Sequence, residues 1–430
     1  MKRVTLYELS LSGIFKQIIR KMKIIKCMTR LLLVSFIIAV SFSSCNKDET
    51  PAYDYYVSSQ LVGTFPESYI NAMLGIAIQS YPELADVEPY IADGVNVYKI
   101  VYKTYLFNDI IEASGLVSLP ATPGEYPVMS FQNGTNTVND NCPSENPLDY
   151  SYQLAEYMAS MGFIVIITDY PGFGSSADVP HPYLIAEPTT QSIVDMFRAM
   201  NEAGDSKFPG IKVKNEYYLM GYSQGGWATM SLHRSLEVDY PLEFNLEGSV
   251  CGAGPYDMYN LFLGISSLST YPMPSYLGYI INAYSEYNQF SNVVSDILNE
   301  PYAGRLGSLY DGTRSLDEIN AQLTTSIPGL FKTEFISGFA GSPVYSGVRQ
   351  GLINNSVSPW NTQKPVLLVH GGGDTHVSVS STQTFYDAMI NAGTSTSMIS
   401  KLIIPDLDHG DALIPCITEG LKFIMNLRDR

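Results

Sequence analysis

Gly221-Tyr222-Ser223-Gln224-Gly225 fits the pattern G-x-S-x-G. In that pattern a serine stands on a sharp turn from a strand into a helix. Glycines flank it because side chains there would collide with the neighbouring strand and helix. The pentapeptide alone is weak, and its surroundings give it weight. Glu216–Met220 before it reads as a strand, and Gly226–Met230 after it opens a helix. Such a turn exposes the hydroxyl at a helix N-terminus, where developing negative charge is favoured. The chemistry it suits is nucleophilic attack on a carbonyl.

A serine hydroxyl needs a base. The chain has five histidines, so elimination is practical. His233 lies on the helix after the turn, about three turns from Ser223. His181 sits in an earlier loop, His370 ends a strand, and His376 follows an acid by two residues. His409, in Asp406-Leu407-Asp408-His409-Gly410-Asp411, follows the last predicted strand. Serine and His409 both follow parallel strands, which puts them at one end of a sheet. The acid that orients the histidine is read as Asp374, in His370-Gly371-Gly372-Gly373-Asp374. A carboxylate there accepts the imidazole Nδ1 proton and stabilises the imidazolium. Asp257, after the preceding strand, is its competitor, and Asp408 reads as a turn former.

An oxyanion needs donors. The backbone N–H of Gln224 is one, directly after the nucleophile. The N–H of Thr135, in the loop after Tyr126–Phe131, is expected as the second, with Asn133 shaping that loop. No metal or other cofactor is expected. The histidines do not pair at helical spacing and no cysteine cluster is present. The three glycines before Asp374 lack the spacing of a dinucleotide fingerprint.

These residues require a scaffold. Val95–Leu106 and Ile110–Leu119 read as a hairpin turning at Phe107-Asn108-Asp109. Strand and helix signals then alternate: Tyr126–Phe131, Leu154–Met161, Gly162–Asp169, Thr190–Ala203, Glu216–Met220, Trp227–Leu236 and Leu246–Ala253. Later come Pro365–His370, Ser381–Ala392, Met398–Ile404 and Ala412–Leu427. This predicts an α/β architecture, a mostly parallel sheet with an antiparallel edge, flanked by helices. The alternation breaks over residues 258–360. That stretch is expected as a largely helical cap, with helix in Ser285–Asn299 and Ser315–Thr324. It divides the core into residues 66–257 and 361–430.

Eight of the 25 Lys and Arg fall in the first 30 residues, against one acid, and Leu31–Cys45 carries no charge. A basic start, an apolar run and small residues describe a secretory signal over residues 1–44. Met22 or Met28 is a more natural start, so residues 1–21 read as an over-extension. Phe42-Ser43-Ser44-Cys45 resembles the lipobox of Gram-negative bacterial lipoproteins. That resemblance implies a lipidated Cys45 and an exported outer-membrane lipoprotein facing the periplasm or the outside, while residues 45–65, polar at first with Pro51 and no periodicity, read as a tether. Its membrane contact would be the N-terminal lipid. Without residues 1–44 the chain keeps 17 bases against 41 acids, which disfavours nucleic acid as a partner. Cys142, Cys251 and Cys416 remain besides Cys45, an odd number that makes no disulfide framework.

Four separated pieces resemble the α/β-hydrolase superfamily, especially its secreted bacterial esterases and lipases and fungal secretory lipases. They are Phe131–Thr135, Thr168–Gly174, Gly221–Gly226, and His370–Asp374 with His409. In the first piece the family's usual histidine is Asn133 here. Asp169 in the second reads as structural. The resemblance implies an α/β-hydrolase fold and a carboxylesterase or lipase, with Ser223, Asp374 and His409 catalytic; the acidic balance and a cap rich in Tyr, Leu, Ile and Met suit a small, uncharged or apolar ester. Two rival readings stand beside it: a serine exopeptidase on the same fold, and a non-catalytic surface lipoprotein that binds glycans or lipids.

Overall fold

The computed structural model describes residues 55–429. The signal segment, Cys45 and the start of the tether lie outside the described residues.

Nine strands form one sheet in the order β1-β2-β3-β5-β4-β6-β7-β8-β9. The strands are β1 (Tyr56–Phe65), β2 (Val95–Leu106), β3 (Asp109–Pro120), β4 (Gly124–Gln132), β5 (Ile164–Thr168), β6 (Ile211–Tyr222), β7 (Leu246–Gly252), β8 (Val366–Gly371) and β9 (Ile399–Ile404). β1, β2 and β3 pair antiparallel, as do β3 and β5. From β5 through β4 to β9 every pairing is parallel. The pattern follows from the residues. β2 alternates buried and half-exposed positions, as a strand covered mainly on one face does. β5, Ile-Val-Ile-Ile-Thr, is buried at every position, the signature of a strand covered on both faces.

Helices cover both faces. On one side α3 (Ala186–Lys207), α4 (Gln224–Val238) and α13 (Ser380–Asn391) bury Ile193, Phe197, Trp227 and Phe385. On the other, α1 (Glu67–Ile78), α2 (Tyr150–Glu156) and α14 (Leu413–Arg428) bury Ile70, Leu74, Ala155, Ile417 and Ile424. Because β4 to β9 run parallel, the loops that follow them open at one edge of the sheet. Residues from strands far apart in sequence meet there.

Between β7 and β8 the chain forms eight helices, from α5 (Met258–Ser266) and α6 (Pro274–Glu286) to α12 (Ser346–Asn354). Phe262, Tyr284, Phe331, Phe335 and Phe339 from this insertion belong to the same contiguous core as Trp227 and Met196 beneath it.

The structure corrects two expectations. Residues 56–65, placed in the tether, form β1 along β2. Its Ser and Gln make it look like a solvated linker. An edge strand has that composition too, because its side chains stay half exposed while its backbone pairs inward. In the insertion, Ser285–Asn299 is not one helical piece. α6 ends at Glu286, Asn288 takes a positive φ of 52°, and only Val294–Ile297 is helical again. Asparagine tolerates the left-handed region and stops helices for that reason.

Candidate active site

The chain turns from β6 into α4 at Ser223, whose φ is +61° and ψ −122°. That is a strained conformation for a residue with a side chain, and strain of this kind persists only where the surroundings enforce it. The surroundings are close. A Cβ on Gly221 would lie 2.4 Å from the carbonyl oxygen of Gly225. A Cβ on Gly225 would lie 1.9 Å from that of Gln132, at the end of β4. Only glycine fits at either place, so the two glycines let β4, β6 and α4 converge on the serine.

His409 follows β9, and its Nε2 lies 2.9 Å from Ser223 Oγ. Its Nδ1 lies 2.6 Å from Asp374 Oδ2. Tyr222, next to the serine, donates its hydroxyl to the carbonyl of His409 at 2.8 Å, which ties the β9 loop to the turn. Asp374 is held on all sides. Oδ1 accepts the N–H groups of His376 and Val377 at 2.8 and 2.9 Å. Oδ2 lies 3.2 Å from His370 Nε2 as well as facing His409. Burial would raise this carboxyl. The hydrogen bonds from His370 and His409, the His409 charge and the Val377 N–H outweigh burial and hold it well below the ordinary carboxylate range. It is ionised at neutral pH, which is what stabilising an imidazolium would require.

The other acids are engaged elsewhere. Asp257 caps α5, accepting the Asn260 N–H at 3.0 Å. Asp408 accepts from Asp411 N–H at 2.8 Å and closes a turn. Asp169 is buried, taking the Ser114 hydroxyl at 2.6 Å and the Ser144 N–H at 2.8 Å, which fastens the end of β5 to β3.

Four histidines remain. His233 is buried away from the site on Ser249, Glu237 and Thr362. His370 has Asp374 and the Val377 carbonyl around Nε2 and the Thr382 hydroxyl at Nδ1. Two acceptors at Nε2 place the proton there, so His370 is a second donor to Asp374. His181 has its Nδ1 2.7 Å from the Pro171 carbonyl. Burial pushes its pKa down to about 4, against that backbone bond, so the ring is neutral. Its Nε2 then accepts from the Gln224 side-chain amide at 3.0 Å. His376 stands beside His409, with 5.0 Å between ring centroids. Sequence reasoning assigned no role to His370, His376 or His181. The spacing of four from His370 to Asp374, across the strand's end, is the one local signal that pointed to contact.

Gln224 is the first residue of α4. Its N–H is one of the donors a helix start leaves without a partner in the helix. Thr135 follows β4 with its hydroxyl 2.9 Å from that of Tyr183. Tyr183, Ser223 and Gln224 share a cavity with Leu184, Met258, Leu277 and His376, almost all of it apolar. Its free volume is about 40 Å³.

The sequence profile of the secretory lipase family matches residues 151–410. The search of curated proteins found no match. Among solved structures, a protein of Legionella pneumophila assigned as a hydrolase is 26% identical with a TM-score of 0.77, covering 87% of this chain and 98% of that one. The rice cell wall degrading esterase LipA from Xanthomonas oryzae is 23% identical with a TM-score of 0.74, covering 88% and 98%. Candida antarctica lipase A in its closed state is 17% identical with a TM-score of 0.65, covering 88% and 83%. At those two identities the likeness is one of fold, the α/β-hydrolase fold of esterases and lipases.

Proposed function

The chain belongs to the secretory lipase family, and from that premise we propose that it is a serine hydrolase cleaving uncharged or apolar carboxylic esters through an acyl-enzyme on Ser223. The observation that carries the reading is the unbroken relay from Ser223 Oγ to His409 Nε2 and from His409 Nδ1 to Asp374, on a strained strand–helix turn. Ser223 Oγ attacks the ester carbonyl carbon as its proton passes to His409 Nε2. The tetrahedral intermediate collapses, the C–O bond to the alcohol breaks, and the alcohol oxygen takes that proton. Water repeats the sequence against the acyl-enzyme, with His409 as base, and releases the acid. Asp374 keeps the imidazole in the required tautomer throughout.

The backbone N–H groups of Gln224 and Thr135 are the proposed oxyanion donors. His181 supports the first by fixing the Gln224 side chain. The Gly225 contact supports the second by bringing the end of β4 against the turn. The apolar lining around Ser223 favours an apolar acyl group. Residues 258–360 are proposed as the cap that supplies most of that lining.

A paired panel tests the reaction class. Hydrolysis of p-nitrophenyl esters without hydrolysis of aminoacyl-nitroanilides is the expected result. The reverse pattern would make the chain an exopeptidase, and no turnover with no fluorophosphonate labelling would make it a binding protein.

Family membership supports export. We propose the finer reading that Cys45 is lipidated and anchors the protein to the bacterial outer membrane. The basic start and charge-free Leu31–Ser44 run motivate it. Several acyl chains on one cysteine hold firmly where a single chain does not. Cys45→Ser is expected to release the protein into the soluble fraction or leave its precursor uncleaved. Mass spectrometry of the mature N-terminus checks it, and an unmodified Cys45 would refute it.

A further inference from the structure

A cleft of about 260 Å³ lies apart from the cavity that holds Ser223, and the two share no wall residue. The body of the protein supplies one wall, with Phe173 and Asp178 after β5. The insertion supplies the other, with Tyr279, Asn282 and Glu286 on α6 and Gly307 on α8 (Tyr302–Leu309). An aromatic stack partitions the two spaces. The Tyr279 ring lies 4.3 Å from that of Tyr183 and 4.6 Å from that of Tyr310, at interplanar angles of 9° and 15°. Tyr183 belongs to the serine cavity, and Tyr310 to the cleft.

The cleft carries one sign of charge. Asp178, Glu286 and Asp311 line it and no Lys or Arg does. Burial pushes the pKa of His181, another wall residue, down to about 4, so that ring is neutral. Asp311 accepts from Arg314 and Thr313. The carboxylates of Asp178 and Glu286 have no partner among the described residues. Acids on a rim are common on protein surfaces, and Asn282 is what marks this cleft. It is 8% exposed, and its carboxamide has no hydrogen-bond partner among the described residues. A buried amide in that state is costly, and a ligand's hydrogen bond would relieve it. The group is not sealed in. A Cβ on Gly307 would meet Asn282 Oδ1 at 3.9 Å and nothing else within 4 Å, so the carboxamide faces open space.

We propose that this cleft binds a small organic ammonium ion, an alkyl amine or diamine, held between the body and the insertion. The chemistry selects it. Two free carboxylates and a free carboxamide oxygen accept hydrogen bonds, so the ligand donates them. Among the described residues no group of carboxylates, histidines and cysteines is placed to hold a metal ion. Phe173 and Tyr310 offer aromatic surface on which methylene groups and an ammonium both rest favourably. The chain's 42 acids against 25 bases draw cations towards it. Asp178 belongs to the body and Glu286 to the insertion, so an occupant ties the two together. The site makes no use of Ser223 and stands apart from the serine-hydrolase reading.

Isothermal titration calorimetry of the intact protein at fixed ionic strength tests it, with 1,4-diaminobutane, butylamine, 1,4-butanediol and magnesium chloride as probes. Saturable binding of the amines, and of neither other probe, is expected. A tighter diamine would show that both carboxylates are used, and equal affinities that one is; either result supports the site. Asn282→Ala is expected to weaken amine binding about tenfold, the scale of a hydrogen bond to a charged group. Glu286→Gln is expected to weaken it by up to about fivefold, the scale of an exposed ion pair. Gly307→Leu is expected to abolish binding by filling the space in front of Asn282. Glycine is the unfavourable residue inside a helix, so that variant keeps its fold. No saturable amine binding, equal binding of butanediol or magnesium, or an affinity unchanged in Gly307→Leu or Asn282→Ala would overturn the inference.

Discussion

Ser223→Ala is expected to lower kcat on p-nitrophenyl esters by about 10⁶, the scale seen when a triad serine is removed, and to abolish covalent labelling by fluorophosphonate. The labelling is the sharper measurement, because no other hydroxyl in the site combines a strained backbone with a base at 2.9 Å. The fold is not at risk. Alanine removes only the oxygen, and the contacts that force the turn belong to Gly221 and Gly225. An unchanged circular dichroism spectrum would show that only chemistry was lost. Labelling of the variant at the wild-type level would end the assignment of Ser223.

Asp374→Asn is expected to cost about 10⁴ in kcat. The geometry says why. The carboxylate uses Oδ1 for two backbone N–H groups and Oδ2 for His409 and His370. Asparagine keeps one oxygen, and the two fixed backbone donors claim it. Its NH₂ group then faces His409 Nδ1 as a donor. That drives the imidazole proton to Nε2, where it cannot accept from Ser223. Asp257→Asn is the control. It alters a helix cap worth about 1 kcal/mol of stability and is expected to leave kcat within about threefold, a spread of roughly 0.7 kcal/mol. Reversed effects would place the acid after β7.

Much of this was legible locally. The turn at Ser223 needs glycines within three residues of it, and the aromatic and apolar run before it and helix formers after it lie next to it in sequence. Strand–helix alternation gave the parallel sheet, and with it the shared edge where Ser223, Asp374 and His409 meet. The choice between Asp374 and Asp257 was less visible, because both follow parallel strands. What separates them is Asn260, which claims Asp257 for the start of α5. The directions of His376 and His181 were not legible at all. His181 meets Gln224 and His376 packs beside His409 and Tyr276, partners from distant elements, and no spacing encodes that. β1 was missed for a related reason. Its polarity suits water, and its pairing depends on β2, some 40 residues later.

The helices between β7 and β8 share one buried cluster with the body beneath them, Phe262 and Phe331 lying in continuity with Trp227. Two regions that share a core melt together, so heat or denaturant should take the insertion and the sheet apart in a single cooperative step. It also limits how a bulky molecule enters a space of about 40 Å³. Swinging the whole insertion away would expose its phenylalanines at ~1.5–3 kcal/mol each. Local fluctuation costs far less. Access to the serine is therefore expected to run through local fluctuation of the cavity's walls, on a timescale separate from global unfolding.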